Sequence, residues 1–367
     1  MKKKFLLICI GLLVLAMLAG CGNDPATDPG STNGNIAAQN AADLPVQQPD
    51  RDKTPFDEEQ TSESEMKNDR NISQTGWTNS VSPEYTRVSD KPGTVVRLDY
   101  ASKDYVRDGS PITKTAYVYT PYGYDENDTE TRYDILYLMH GWGGHADEQF
   151  EFESQKNMFD NMIEKGDISP MIIVSATFYN ENSGRDFSSS IAEFRQFHRD
   201  FEENMMPTVE GKYHTYAEST SKADLKASRD HRAFGGFSLG SVTTWLELCY
   251  DYDYIHYFLP MSGSCWYYGT YGDFQFEKNV DFIEQLVKDN DLDERGYFIY
   301  HAVGTNDAVK SQSVNMADEM LSRDTFTPDH YVFYQKDGGY HDFGTVQEYL
   351  YNALPLFFMM RNTTPND

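Results

Sequence analysis

Gly236-Phe237-Ser238-Leu239-Gly240 is the one G-x-S-x-G in the chain, and it makes Ser238 the candidate nucleophile. A serine at the tip of a sharp strand-to-helix turn sits in a strained backbone conformation, and glycines on either side let the two elements approach. The flanks suit such a turn: a short run, Arg232-Ala233-Phe234, precedes it, and Val242 to Tyr250 can continue behind it as a helix. A serine hydroxyl is a poor nucleophile at neutral pH unless a base takes its proton, so Ser238 needs a histidine, and the histidine a carboxylate to hold it.

Where the nucleophile lies on such a turn, its partners follow in the order acid, then histidine. Four histidines follow Ser238: His256, His301, His330 and His341. His341 is the expected base, because Asp337-Gly338-Gly339-Tyr340 reads as a loop between a strand and the last helix. His330 begins that strand, His301 falls within another, and His256 lies in an aromatic stretch, all positions that packing explains. For the acid, Asp307 in Gly304-Thr305-Asn306-Asp307 follows the apolar run Tyr297-Phe298-Ile299-Tyr300, just beyond the carboxyl end of a strand, where catalytic loops gather. The competing role for Asp307 is to cap the following helix. Asp337 and Asp342 are nearer to His341 in sequence, but adjacency makes a side-on hydrogen bond to the imidazole awkward.

Acyl transfer through a serine develops an oxyanion, which preorganised backbone N–H groups must meet. One comes from the residue after the nucleophile, Leu239; the second comes from a loop after an early strand. Leu138-Met139-His140-Gly141-Trp142-Gly143-Gly144 is such a loop, and Trp142 is the expected donor with Gly143 its nearest competitor. His140 precedes the serine and is expected to stabilise this loop. The chemistry requires no cofactor, and no ligand set with metal spacing stands out.

Several elements must hold these residues in place. Thr94 to Tyr100, Thr115 to Thr120 and Ile135 to Met139 read as entry strands, and Met171 to Ala176 as a fully buried one. Glu193 to Val209 has the period of a helix ended near Pro207. Tyr297 to Val303 and His330 to Tyr334 read as later strands and Val346 to Met360 as a last helix. This alternation predicts an α/β domain whose mostly parallel sheet is covered by helices on both faces.

At 367 residues, with 39% hydrophobic and 14% aromatic content, the chain has enough apolar matter for a substantial core. Its net charge of −27 disfavours nucleic acid and anionic lipid surfaces as partners. The N-terminus has a character of its own: Lys2-Lys3-Lys4, an apolar stretch from Phe5 to Ala16, then Leu18-Ala19-Gly20-Cys21. It resembles a bacterial lipoprotein signal, and the resemblance implies removal of residues 1–20 and lipidation of Cys21, hence an extracytoplasmic protein tethered to a bacterial membrane. Residues 21–82 are acidic and polar with almost no aromatics and read as a disordered linker. The folded α/β domain is expected over 83–361. Cys249 and Cys265 remain in that body, either bridged or as two buried thiols.

A longer set of motifs goes beyond a generic hydrolase. Tyr216-Ala217-Glu218-Ser219-Thr220, Ala227-Ser228-Arg229 and His231 to Ser238, together with Tyr137 to Gly141, Phe258 to Gly263 and Tyr349 to Phe358, resemble the feruloyl esterases of carbohydrate esterase family one. The similarity runs from about Thr115 to Met359. It implies the α/β-hydrolase fold, matches Ser238, Asp307 and His341 to the family's serine, aspartate and histidine, and implies release of hydroxycinnamic acids such as ferulic acid from plant cell-wall xylan. Some relatives remove acetyl groups instead, and an acyltransferase on the same fold is a second alternative. A non-catalytic sugar-binding lipoprotein is a third. Trp266 offers an aromatic face for a feruloyl ring or a sugar, or else simply packs. Two departures from the family pattern stand out: Ser241 where many members have glycine, and Asp342 where relatives have an aromatic residue, a change that bears on the acyl pocket.

Overall fold

The computed structural model describes residues 77–78 and 80–358. Residues 1–20, Cys21, most of the acidic linker and 359–361 lie outside the described residues. Eight strands form one sheet in the order β1-β2-β4-β3-β5-β6-β7-β8. β1 (Thr94–Lys103) and β2 (Pro111–Thr120) form an antiparallel hairpin at one edge. β2 pairs antiparallel with β4 (Met171–Ala176). From β4 onward, β3 (Asp134–Met139), β5 (Arg232–Phe237), β6 (Tyr257–Met261), β7 (Phe298–Gly304) and β8 (Tyr331–Lys336) run parallel.

The parallel strands are covered on both faces, so their sequences are continuous apolar runs instead of alternating ones. Every residue of β3, β4, β5, β6 and β7 is buried. The helices that matter here are α1 (Glu153–Lys165), α2 (Phe187–Arg195), α3 (Leu239–Asp251), α4 (Phe276–Asp289), α5 (Lys310–Leu321) and α6 (Phe343–Ala353). α3 follows β5 and is buried along nearly its whole length. One buried ion pair fixes the start of β5: the Arg232 guanidinium donates to both oxygens of Glu210, at 2.6 and 2.8 Å, and Tyr137 donates to the same carboxylate at 3.1 Å. No helix among the described residues is long and apolar enough to cross a membrane.

Three boundaries differ from the sequence-based expectations. The folded body starts no later than Trp77, ahead of Pro83. Trp77 packs edge-on against Tyr334 (4.7 Å) and against Tyr300 (5.6 Å), and Thr78 exchanges two backbone hydrogen bonds with the Asn352 amide. A single large aromatic anchors this segment despite its polar surroundings. The helix expected over Glu193–Val209 begins earlier, at Phe187, and is broken after Arg195; it then resumes through Phe197–Asp200 and a π turn at Phe201–Met205. Pro207 does not end it. Met206 N–H reaches back five residues to Phe201 O, and Pro207 sits in the first turn of Met206–Glu210, where its missing N–H costs nothing. The last helix stops at Ala353 and passes into a 3₁₀ turn, Leu354–Leu356, where Pro355 has no N–H with which to continue the α-helical ladder.

Candidate active site

Ser238, Ser262, Asp307 and His341 lie beyond the carboxyl ends of the neighbouring strands β5, β6, β7 and β8, so one edge of the parallel sheet collects them. Ser238 adopts φ 58° and ψ −118°, the strained turn expected of a nucleophile between strand and helix. The flanking glycines are required by contact. A Cβ at Gly236 would collide with the backbone of Gly240, and one at Gly240 with the carbonyls of Met139 and His140. Ser238 N–H donates to Met261 O at 2.9 Å, which ties the elbow to β6.

Ser238 Oγ stands 3.0 Å from His341 Nε2, and His341 Nδ1 stands 2.9 and 3.0 Å from the two carboxylate oxygens of Asp307. Asp307 has no exposed side chain, while His341 is about one-fifth exposed. The same Oδ1 of Asp307 accepts from Val309 N–H at 2.8 Å. The two roles weighed for this aspartate therefore coexist: it shapes the turn before α5 and holds the imidazole. Asp342 accepts from Thr345 N–H at 2.8 Å and caps α6; it does not line the acyl pocket, so the departure at this position leaves the pocket uncharged. Asp337 reaches only Thr305, at 3.4 Å.

The other histidines hold structure. His301 is buried between Tyr331 Oη (2.9 Å) and Gly263 O (3.0 Å), and desolvation lowers its pKa to about 3. His330 faces Tyr297 O at 3.1 Å, and His256 faces Asp230 at 2.8 Å.

Around the nucleophile the loop after β3 closes tightly. A methyl group at Gly141 would stand 3.1 Å from Ser238 Cβ, so the next peptide, bearing the Trp142 N–H, borders the nucleophile. Gly143 N–H donates to Tyr179 Oη at 3.2 Å, which occupies the competing donor. Leu239 opens α3, where the first N–H groups have no acceptor within the helix and carry the positive end of its dipole. His140 braces the loop from below. Its Nδ1–H donates to Gly141 O and its Nε2 accepts from Thr177 Oγ1, each at 2.7 Å, and burial keeps it neutral by lowering its pKa to about 3. Arg185 clasps the outer side, donating to Gly144 O at 2.9 Å while its own carbonyl accepts from the Trp142 indole at 3.1 Å.

A pocket, partly open to solvent, begins at Ser238. Four aromatic rings wall it in sequence: Trp142 packs edge-on against Phe187 at 5.3 Å, Phe187 against Tyr271 at 5.5 Å, and Tyr271 against Trp266 at 6.0 Å. Leu239, Val242 and Val309 add aliphatic surface, and Gln312 adds an amide. Trp266 is only 2% exposed, and its indole donates to Ser264 Oγ at 3.2 Å, so it is a wall of this pocket and not an open shelf. Sequence reasoning missed Phe187, Tyr271, Val309 and Gln312. Phe187 and Tyr271 carry no motif, and only folding brings α2 and the loop after β6 to the same opening. The Cys249 and Cys265 sulfurs lie 4.0 Å apart as buried free thiols. An exposed group, His145, Asp147 and Glu151, is the one cluster of metal-type ligands among the described residues, and its members pair with one another at 3.0 and 3.6 Å.

The arrangement has the parts of acyl transfer: a hydroxyl, a base within hydrogen-bond reach, a carboxylate behind the base, and N–H donors beside the reacting atom. Residues 112–357 match the family model "Esterase: Putative esterase". Among curated proteins, the chain is 35% identical over 282 residues to endo-1,4-beta-xylanase Y of Acetivibrio thermocellus, covering 75% of this chain and 24% of that protein. It is 28% identical over 236 residues to an endo-1,4-beta-xylanase/feruloyl esterase of Xylanibacter ruminicola, covering 63% and 27%. The chain thus spans about a quarter of the length of these relatives. Among solved structures, it is similar to a mutant of the feruloyl esterase module from Clostridium thermocellum complexed with sinapinate, with 32% identity, a TM-score of 0.66, and coverage of 76% of this chain and 93% of that one. A CE1 ferulic acid esterase from Anaeromyces mucronatus in complex with ferulic acid shares the fold at 20% identity and a TM-score of 0.58, covering 77% and 97%.

Proposed function

Because the chain belongs to this esterase family, we propose that it is a serine carboxylic-ester hydrolase that releases ferulic and related hydroxycinnamic acids from plant cell-wall xylan. The observation that carries this reading is the four-ring pocket opening on Ser238, which suits a flat aromatic acyl group. An acetyl group would leave the aromatic walls beyond Ser238 without a partner, which weighs against the acetyl-esterase alternative.

In the reaction, His341 Nε2 takes the proton of Ser238 Oγ as that oxygen attacks the ester carbonyl. Asp307 holds the Nδ1–H and stabilises the imidazolium. The Leu239 and Trp142 N–H groups receive the oxyanion. The tetrahedral intermediate collapses, His341 returns the proton to the departing sugar oxygen, and the acyl group stays on Ser238. Water then attacks the acyl-enzyme with His341 again as base, freeing the acid and restoring the serine. No step calls for a cofactor.

Similarity to two xylanase-linked relatives supports xylan as the polymer. The N-terminal Lys2-Lys3-Lys4, the apolar stretch and Leu18-Ala19-Gly20-Cys21 support export and lipidation at Cys21, which would put the esterase on the outer side of a bacterial membrane. Incorporation of labelled fatty acid, lost in Cys21→Ser, tests the anchor. The functional test is release of ferulic acid from feruloylated arabinoxylan, with Ser238→Ala and acetylated xylan alongside. Ferulate released by the wild type and not by the variant is expected. Acetate release alone would move the substrate, and binding of xylo-oligosaccharide with no reaction toward a serine-directed phosphonate would overturn the enzymatic reading.

A further inference from the structure

Most polar groups around the acyl pocket are already accounted for. The Trp142 and Trp266 indoles donate to Arg185 O and Ser264 Oγ. Ser238 is the attacking group, and the Ser262 hydroxyl, which has no hydrogen-bond partner among the described residues, follows Met261, whose carbonyl accepts from Ser238 N–H, so it lies at the nucleophile's end of the pocket. Gln312 is different. It is only 3% exposed, its backbone N–H is bound to Val309 O at 3.1 Å, and its side-chain amide has no hydrogen-bond partner among the described residues. That amide opens onto the pocket instead of being sealed in the protein. An amide that opens onto an apolar pocket is free to exchange the water there for a polar group of a ligand.

We infer that Gln312 is a specificity-determining residue that binds the phenolic hydroxyl of the hydroxycinnamoyl ring; this rests on the reading of the protein as a feruloyl esterase. The acyl carbonyl must lie at Ser238 and the N–H donors beyond β5, so the ring projects away from them along the aromatic walls. Gln312 stands on α5, which follows β7, and β6 lies between β5 and β7. Two strand spacings amount to roughly 10 Å, a span on the order of a cinnamoyl group's length. A primary amide carries one acceptor and one donor group, so it can take the phenolic proton on Oε1 or donate to the phenolic oxygen through Nε2. A site built around such a bond discriminates against the analogue that lacks the hydroxyl, because the amide is then left unpaired.

The test compares kcat/KM for methyl p-coumarate, methyl ferulate, methyl cinnamate and methyl 3,4-dimethoxycinnamate in wild type, Gln312→Leu and Tyr271→Phe, with 4-nitrophenyl acetate as a check of the folded triad. In Gln312→Leu the ratio of p-coumarate to cinnamate is expected to fall about tenfold, mainly through KM. An unchanged ratio, or a ratio that collapses in Tyr271→Phe and not in Gln312→Leu, overturns the inference and leaves the esterase reading standing. A wild type that cleaves 4-nitrophenyl acetate and none of the cinnamates overturns both.

Discussion

Replacing Asp307 by asparagine separates the two tasks that its carboxylate performs. Oδ1 accepts from Val309 N–H at 2.8 Å, and both oxygens lie within 3.0 Å of His341 Nδ1. An asparagine keeps the shape of the side chain, and its single carbonyl oxygen keeps the Val309 bond. Its NH₂ then takes the place of Oδ2, facing His341 Nδ1 as a donor. That favours the tautomer with the proton on Nε2, the nitrogen 3.0 Å from Ser238 Oγ, so the base presents a proton to the hydroxyl it should deprotonate. The imidazolium formed during attack also loses its buried counter-charge. Together these effects predict a loss of about 10³- to 10⁴-fold in kcat, which is about 4 to 5.5 kcal/mol of transition-state stabilisation. The assay is hydrolysis of methyl ferulate and of 4-nitrophenyl acetate at saturating substrate, with thermal unfolding measured in parallel. Tm is expected to stay within a few degrees, because the turn before α5 keeps its acceptor. A variant with more than a tenth of wild-type kcat would refute the assignment of Asp307, and an equal loss with a collapsed Tm would trace the effect to the turn.

Further perturbations probe the parts around the triad. His140→Ala frees the Gly141 carbonyl and is expected to lower kcat about ten- to a hundredfold with KM little changed, since it loosens the loop bearing the Trp142 N–H; steady-state kinetics on one ester decide this. Burial raises the Glu148 pKa to about 7 in the folded protein, above its unfolded value, so its contribution to stability is fully present near pH 4 and is lost as pH rises through 7. Glu148→Gln should therefore match wild type in urea unfolding at pH 4 and exceed it above pH 7 by about 1–3 kcal/mol, after allowance for partial exposure; equal stability at both pH values would contradict the burial argument. Glu210→Ala leaves the buried Arg232 guanidinium without its counter-ion and should cost about 3–5 kcal/mol in chemical denaturation.

Sequence pattern reaches furthest where a local rule is strict. The elbow at Ser238 could be read from five residues because close approach of strand and helix demands glycine at both Gly236 and Gly240. The buried parallel strands declared themselves as unbroken apolar runs, and Met171–Ala176 was delimited to the residue. Where competing local signals met, tertiary contacts decided. Polar composition placed the start of the domain at Pro83, but Trp77 finds Tyr300 and Tyr334 and carries its segment into the fold. Pro207 signalled a helix end, but a π turn before it absorbed the change.

The order of serine, aspartate and histidine along the chain, the loop bearing Trp142 and the α/β alternation were determined by sequence, because each depends on residue type and spacing within a single element or its boundary. The pocket was decided only by tertiary structure. Trp142, Phe187 and the pair Trp266 and Tyr271 come from three separate segments, and an edge-to-face contact between rings leaves no period in the sequence. The same holds for Gln312: a glutamine near the start of a helix is unremarkable until folding makes it part of the wall of the pocket that begins at Ser238.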